Sequence, residues 1–163
     1  MRWNLKSKPE KEKVQALQNA LQVDEIIATL LVQRGIETFE QAKTFFRPTL
    51  EDLHNPYLMK DMDKAVIRIE KAIANNENIL VFGDYDVDGT TAVSLMSSYL
   101  KSFYPNIATY IPDRYDEGYG ISYKGIDFAE DNGFSLIIAL DCGIKSIEHV
   151  LYAKEKNIDF IIS

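Results

Sequence analysis

The stretch NILVFGDYDVDGTTA, residues 78–92, contains the change of pattern that decides the fold. An apolar run leads directly into three aspartates at alternate positions, Asp84, Asp86 and Asp88, with a glycine on either side. Residues 90–103 then have the apolar spacing of a helix. A strand, a glycine-bracketed loop and a helix in this order are typical of α/β sheets, in which ligands bind beyond the carboxyl ends of the strands.

Short apolar runs alternate with helical stretches through the second half of the chain. The runs cover residues 79–82, 107–111, 136–140 and 158–162, and the helical stretches cover 90–103, 123–132 and 144–156. Fully apolar strands indicate a parallel sheet covered on both faces. We therefore predict a doubly wound α/β domain over residues 79–163, with a mainly parallel sheet of at least four strands. Because the last strand stops at Ser163 with nothing after it, we expect the chain to be a truncated part of a longer protein.

Residues 1–78 are predicted to form a helical leader. Helices are indicated around Leu17, over residues 24–33, from a capping box at Thr38 to Pro48, and over residues 63–75, with a linker at 49–57. The leader carries 12 basic and 12 acidic side chains, whereas residues 79–163 carry 6 and 13, so the whole net charge of −7 lies in the second half. Nucleic-acid binders are usually basic, but bound cations would reverse the sign locally.

The composition indicates a globular protein, with 46% apolar residues and no segment near the roughly 18 apolar residues that a membrane helix requires. The start of the chain is charged and does not resemble a signal peptide. The single cysteine, Cys142, cannot form an internal disulfide. These features favour a reducing, cytoplasmic location.

The aspartate loop has several interpretations. An EF-hand is disfavoured because Leu95 stands where its bidentate glutamate is needed, and a phosphate-binding loop because no lysine precedes Thr90. A solvated loop in which Asp88 caps the following helix explains only one of the carboxylates. In an extended chain, side chains at alternate positions point the same way. Asp84, Asp86 and Asp88 would then converge on a hard cation such as Mn²⁺ or Mg²⁺.

Two further strand ends supply candidate residues. Asp141 follows the strand at 136–140 and would meet the aspartate loop if the two strands are neighbours, although aspartate is also a common turn former. Cys142 is interpreted as a small packed residue, because no histidine or lysine adjoins it to activate the thiol. In the loop after the strand at 107–111, Arg114 would bind a phosphate, and Tyr115 or Tyr119 would stack on a base. The alternative for this loop is a solvated surface with an Arg–Glu ion pair.

Several of these segments resemble the DHH phosphoesterase family and, within it, the RecJ-type single-strand-specific exonucleases. GDYDVDG at 83–89 resembles the first motif of the family and LDCG at 140–143 the second, whereas IPDRYDEGYGI at 111–121 and residues 34–69 are RecJ-like. The resemblance implies a catalytic set of Asp84, Asp86, Asp88 and Asp141 and a nucleic-acid-binding pair, Arg114 and Tyr119. Within that set, Asp86, Asp88 and Asp141 are the implied metal ligands, and the role of Asp84 is left open.

The resemblance also implies an activity. We expect two-metal hydrolysis of single-stranded DNA in the 5′-to-3′ direction, with Mn²⁺ or Mg²⁺, in DNA repair and recombination. The third motif of the family, Asp-His-His, would follow Ser163, so this part alone is expected to bind Mn²⁺ weakly and to be inactive. Two alternatives stay open: a related phosphoesterase acting on nano-RNA, cyclic dinucleotides or pyrophosphate, and a non-catalytic metal-binding module. The helical leader favours the exonuclease over the small-substrate enzymes.

Overall fold

The computed structural model describes residues 4–163. In chain order, its helices and strands are α1 (Lys11–Leu21), α2 (Glu25–Val32), α3 (Phe39–Phe46), α4 (Met62–Ala74), β1 (Asn78–Gly83), α5 (Val87–Lys101), β2 (Ile107–Tyr110), α6 (Tyr123–Asp131), β3 (Phe134–Leu140), α7 (Ile147–Glu155) and β4 (Asp159–Ile162). Each predicted strand and helix is present, with ends shifted by a few residues.

Contacts divide the chain into two compact units, Met1–Leu58 and Met59–Ser163. The first contains α1, α2 and α3, followed by two short 3-10 turns at Leu50–Asp52 and Pro56–Leu58, where a linker was predicted. The second contains α4 together with the whole sheet. The contacts thus group α4 with the sheet, whereas the predicted domain boundary at residue 78 stays a prediction.

The helices of the first unit share a small apolar core, formed by Val14, Leu17, Ala28, Leu31, Val32, Ile36 and Ala42. The predicted capping box opens α3. The Thr38 hydroxyl accepts the backbone N–H of Gln41 at 3.2 Å, and Gln41 Oε1 accepts the backbone N–H of Thr38 at 3.1 Å. These two bonds satisfy N–H groups that have no partner within the helix.

The second unit is built on a four-stranded sheet with the order β2-β1-β3-β4. All three strand pairs are parallel, and the central pair aligns Gly83 with Leu140 at its carboxyl end. Every carboxyl end therefore lies at the same edge of the sheet, which we call the carboxyl edge. The predicted α/β class with a parallel sheet is confirmed.

The packing of strand β1 explains why its residues are all apolar. Ile79 and Val81 pack in one cluster with side chains of α4 and α5, whereas Leu80 and Phe82 pack in another with side chains of α6 and α7. All four are fully buried. Burial of each such side chain contributes about 1.5–3 kcal/mol, so both faces of the strand must be apolar and no alternation is seen in the sequence.

Candidate functional site

Three loops meet the carboxyl edge of the sheet. The aspartate loop follows β1, the LDCG segment follows β3, and the loop that we call the arginine loop, residues 111–121, follows β2. Since β1 and β3 are neighbours and Gly83 is aligned with Leu140, Asp84 and Asp141 each come directly after one of two paired residues. The condition under which Asp141 was expected to adjoin the aspartate loop is therefore met.

Asp84 is the most buried acidic residue of the site, with no exposed surface. Its Oδ1 accepts the backbone N–H of Gly120 at 3.3 Å, and its Oδ2 has no hydrogen-bond partner among residues 4–163. An unpartnered polar group in the interior costs about 1–3 kcal/mol, and more if it is charged. A cation bound to Oδ2 would remove that cost, so this carboxylate fits a metal site.

The glycines that bracket the loop are explained by close packing. Neither Gly83 nor Gly89 has a positive φ, so a left-handed backbone conformation is not the reason for glycine at either position. A Cβ on Gly89 would lie 2.4 Å from the carbonyl oxygen of Asp84, and a Cβ on Gly83 would lie 2.3 Å from Val93 Cγ2. The start of α5 therefore packs directly on the end of β1, and only a residue without a side chain fits between them.

The expected geometry of the three aspartates is wrong. Alternate side chains were expected to converge along an extended chain, but α5 begins at Val87 and places Asp88 in its first turn. Asp86, not Asp88, is the N-cap residue, and its Oδ1 accepts the N–H of Gly89 at 3.0 Å. Within residues 4–163, no three Asp, Glu, His or Cys side chains form a group arranged to hold a metal ion. The assignment of Asp86, Asp88 and Asp141 as ligands stays a prediction.

Asp141 has a left-handed backbone conformation, with φ +57°. Aspartate adopts this conformation more readily than most non-glycine residues, because its short polar side chain can hydrogen-bond locally. Its N–H donates to the carbonyl of Ser163 at 3.0 Å, which ties it to the end of β4. Gly143 follows with φ +97°, and a Cβ there would lie 2.5 Å from Ile121 Cδ1. The segment is thus held in an unusual path, as is common where a side chain must be aimed into a site.

The electrostatics of the carboxyl edge are those of an uncompensated negative cluster. The charge of Asp84, followed by burial and the charges of Asp141 and Asp86, raises the pKa of the Tyr119 hydroxyl. Burial first, and then Asp84 and Asp141, raise the pKa of Cys142 to about 11. The thiol is therefore protonated at neutral pH, in agreement with its interpretation as a packed residue. All three aspartates therefore add negative potential at the Tyr119 hydroxyl, which would favour a cation at this edge.

The arginine loop brings a cation next to this cluster. The guanidinium carbon of Arg114 lies 5.4 Å from the ring centroid of Tyr85, and Tyr85 in turn makes an edge contact with Tyr119 at 6.2 Å between centroids. Tyr119 is 68% exposed and Tyr115 93% exposed, so both rings are open to a ligand. Arg114 is exposed and has no ion-pair partner within residues 4–163.

Glu117 excludes the alternative of an Arg–Glu ion pair. Its carboxylate accepts hydrogen bonds from the Tyr110 hydroxyl, the Ser122 hydroxyl and the N–H of Asp113. Sequence reasoning singled out neither Glu117 nor Tyr85. Tyr85 had one available signal, its place between two aspartates, whereas the partners of Glu117 are recognised only after the loop is folded.

A known protein family matches the part of the chain that contains the sheet and these motifs. The family described as "DHH family, N-terminal domain" matches residues 78–163. The chain belongs to the DHH family. The DHH match begins at the first residue of β1 and includes both aspartate segments and the arginine loop.

Among individual DHH relatives, the chain is 39% identical over 163 residues to the single-stranded-DNA-specific exonuclease RecJ of Bacillus subtilis, covering 100% of this chain and 21% of the relative. It is 29% identical over 140 residues to RecJ of Escherichia coli, and the match covers 85% of this chain and 23% of that relative. The chain thus spans about a fifth of the length of the curated relatives that it matches.

Solved DHH structures show the same fold. RecJ from Thermus thermophilus, in complex with Mn²⁺, superposes with a TM-score of 0.71 at 23% identity, over 99% of this chain and 22% of that one. An exonuclease RecJ bound to manganese gives a TM-score of 0.59 at 27% identity, over 64% of this chain and 27% of that one. Separately, none of the helices within residues 4–163 has the length and apolar character needed to cross a membrane.

Proposed function

We propose that this chain is the first part of the catalytic region of a metal-dependent exonuclease that degrades single-stranded DNA from its 5′ end. The observation that carries the proposal is the buried, unpartnered Oδ2 of Asp84 at the edge where Asp141 also lies. Relatives named single-stranded-DNA-specific exonuclease RecJ, and RecJ structures with Mn²⁺ or Mg²⁺, support the substrate and the metal.

The carboxylate donors at the carboxyl edge suit a divalent cation, although no three of them are arranged around one point among residues 4–163. Carboxylate oxygens are the donors that Mn²⁺ and Mg²⁺ prefer. Asp84, Asp86 and Asp141 would hold the ion, with Asp88 as a further ligand from the first turn of α5. Asp86 uses only Oδ1 to cap α5, so its Oδ2 takes no part in that bond. A bound divalent ion would lower the pKa of a water molecule and stabilise the charge that develops on the phosphate.

The arginine loop would supply substrate binding. Arg114 carries a planar guanidinium that suits two phosphate oxygens, and its charge is not used by an ion pair within the described residues. Tyr119 presents an exposed ring that suits stacking on a nucleobase. In this arrangement Arg114 and Tyr119 would hold the strand, and the aspartates would hold the metal.

A role in DNA repair and recombination, and a cytoplasmic location, belong to the same proposal. The first is supported by the RecJ relatives. The second is supported by the single cysteine, which is free.

The proposal is tested in the full-length protein that contains this chain. Mn²⁺ binding is measured by isothermal titration calorimetry. Cleavage is measured with three substrates: long single-stranded DNA, duplex DNA and a dinucleotide. Asp86→Ala and Asp141→Ala should each lose Mn²⁺ binding and DNA cleavage. The matched control is Asp131→Ala, which removes the same charge from an exposed position at the far end of α6 and should keep both.

Other outcomes would overturn the proposal at identifiable points. Near-normal cleavage by either variant in Mn²⁺ would contradict the metal assignment. Faster cleavage of the dinucleotide than of long single-stranded DNA would identify a small-substrate phosphoesterase. Mn²⁺ binding without cleavage of any of these substrates would favour a non-catalytic metal-binding module.

A further inference from the structure

Glu117 lies in the middle of the arginine loop and connects three separate parts of the second unit. Its Oε2 accepts the hydroxyl of Tyr110, the last residue of β2, at 2.9 Å. The same oxygen accepts the hydroxyl of Ser122, which is also the N-cap of α6. Its Oε1 accepts the backbone N–H of Asp113 at 2.8 Å. The carboxylate therefore ties the end of a strand, the start of a helix and the entrance of the loop together.

The charge state of Glu117 agrees with this role. Burial alone would raise the pKa of Glu117, but the hydrogen bonds from Ser122, the Asp113 N–H and Tyr110 outweigh it and lower the pKa below its usual value. Burial and the bond to Glu117 raise the pKa of Tyr110 to about 12. Glu117 is thus an anion that accepts at both oxygens, and Tyr110 stays a protonated donor.

The turn around Arg114 is closed by further hydrogen bonds. Asp113 Oδ1 accepts the backbone N–H groups of Tyr115 and Asp116 at 2.8 and 2.9 Å. The carbonyl of Asp113 accepts the N–H groups of Glu117 and Gly118 at 2.9 and 3.3 Å. Arg114 lies inside this turn, so its backbone position is set by the contacts that hold Asp113 and Glu117.

The far end of the loop reaches the candidate metal site. Gly120 has φ +83° and donates its N–H to Asp84 Oδ1. The segment between Glu117 and Gly120 therefore connects the anchored turn to the most buried aspartate. Any change that releases the turn would alter the position of Arg114, because Arg114 lies in the chain between the bonded residues Asp113 and Glu117.

We propose that Glu117 is a positioning residue for substrate binding: it orders the arginine loop in the free protein so that Arg114 is already placed for a phosphate. The inference rests on the proposed function, since it concerns the same site. Ordering a loop upon binding lowers affinity, and a loop that is ordered beforehand avoids this loss. Glu117 is assigned a positioning role and not a catalytic one, because three hydrogen bonds within the protein use its carboxylate.

The test compares Glu117→Ala with Glu117→Gln in the full-length protein, using 5′-phosphorylated single-stranded DNA and Mn²⁺. Glu117→Ala should raise KM about tenfold with kcat within about twofold, because loop order is lost while the metal ligands stay. Glu117→Gln should restore most of the affinity, since its carbonyl can accept the Asp113 N–H and its amide can donate to the two hydroxyl oxygens. Asp116→Ala, in the same loop, is the control and should match the wild type.

A double variant separates positioning from general stability. If Glu117 acts through Arg114, Glu117→Ala should have no further effect on KM in an Arg114→Ala background. Additive effects, or a fall in kcat at unchanged KM, would overturn the proposal. Should Glu117→Ala fail to fold, Tyr110→Phe removes one of the three bonds and keeps the ring, and a smaller rise in KM is expected from it.

Hydrogen exchange makes the result independent of the activity. In the full-length protein, the amides of Tyr115 to Gly118 should exchange faster in Glu117→Ala than in the wild type, with unchanged exchange in β1 and β3. Unchanged loop exchange would overturn the positioning role even if the protein is an exonuclease. A wild type without nuclease activity would overturn the proposed function, while the exchange experiment would still report on Glu117.

Discussion

Carboxylates lie at both the carboxyl edge of the sheet and the opposite edge, where the strands begin and which we call the amino edge. Only at the amino edge do basic side chains neutralise them. At the amino edge, Arg68 of α4 donates to Glu77 at 2.7 Å and to Asp159 at 2.6 Å, and Ser135 also donates to Glu77. At the carboxyl edge, no basic side chain within the described residues forms an ion pair with Asp84, Asp86 or Asp141.

The difference separates stability from function within one domain. The amino edge uses its carboxylates in an ion-pair network that joins α4 to β1 and β4, and only Nη1 of Arg68 lacks a partner there among residues 4–163. The carboxyl edge leaves Asp84 Oδ2 buried and unpartnered. A folded chain tolerates that arrangement when another group completes it, and four of the 13 acidic residues in 79–163 belong to this candidate site.

The largest expected effect is at Asp84. We expect Asp84→Asn in the full-length protein to reduce Mn²⁺-dependent cleavage by at least about 100-fold. Without metal, the variant should be as stable as the wild type or more so, because a buried amide costs less than a buried charge. Melting temperatures with and without Mn²⁺ check this, since only the wild type should gain from the metal. A clear loss of stability in metal-free buffer would show that Asp84 is a structural residue.

The next largest effect is at the amino edge, where a substitution should change stability and leave metal binding unchanged. Arg68→Met should lower the free energy of unfolding by about 2 kcal/mol, because Glu77 loses its charged partner. Breaking a fully buried ion pair costs about 3–5 kcal/mol. The smaller value is expected here because this pair is partly exposed. Urea denaturation measures the loss. Mn²⁺ affinity should be unchanged, and a change in it would show that the two edges are coupled.

The amino edge also predicts a dependence on pH. Hydrogen bonds from Ser135 and Arg68, opposed by burial, lower the pKa of Glu77 to about 2. Because the folded-state pKa is below the unfolded one, the stabilisation is fully present above about pH 4.5 and is lost as the pH falls towards 2. Denaturation curves of the wild type and Glu77→Gln should therefore differ at pH 7 and approach each other at pH 3. A constant difference would contradict the shift.

The smallest effect concerns how Arg114 is held. Tyr85→Leu should raise KM for 5′-phosphorylated single-stranded DNA about two- to fivefold, because an exposed cation–π contact contributes about 0.5–1 kcal/mol. Tyr85→Phe keeps the ring and should behave as the wild type. Equal effects of the two substitutions would show that the hydroxyl of Tyr85, not its ring, is the part that matters.

The sheet could be predicted from the sequence because its strands are buried on both faces. A run such as Ile79–Phe82 has few other structures available once helical stretches flank it. Adjacency of β1 and β3 could not be derived, because the strand order depends on crossovers that leave no local pattern. It was stated as a condition, and the structure meets it.

The candidate site was less predictable, and the reason is local competition. Three aspartates lie within five positions, and each is able to cap a helix. Asp86 takes that role, so α5 begins earlier than expected and the extended geometry disappears. Glu117 was missed because its partners, Tyr110, Asp113 and Ser122, belong to a strand end, a loop and a helix cap, and no sequence pattern connects them. Their relation exists only in the folded chain.

The contact between Gly89 and Asp84 has a consequence for genetics. A single methyl group at position 89 would overlap the carbonyl oxygen of Asp84, at 2.4 Å, and its backbone nitrogen, at 2.7 Å. Backbone atoms cannot rotate away as a side chain does, so even alanine must displace either the helix or the aspartate. In a screen for variants that lose the proposed exonuclease activity, substitutions at Gly89 should therefore be recovered together with those at the acidic residues. Such alleles would encode a protein whose aspartates are all present and whose defect lies in the spacing between two segments of main chain.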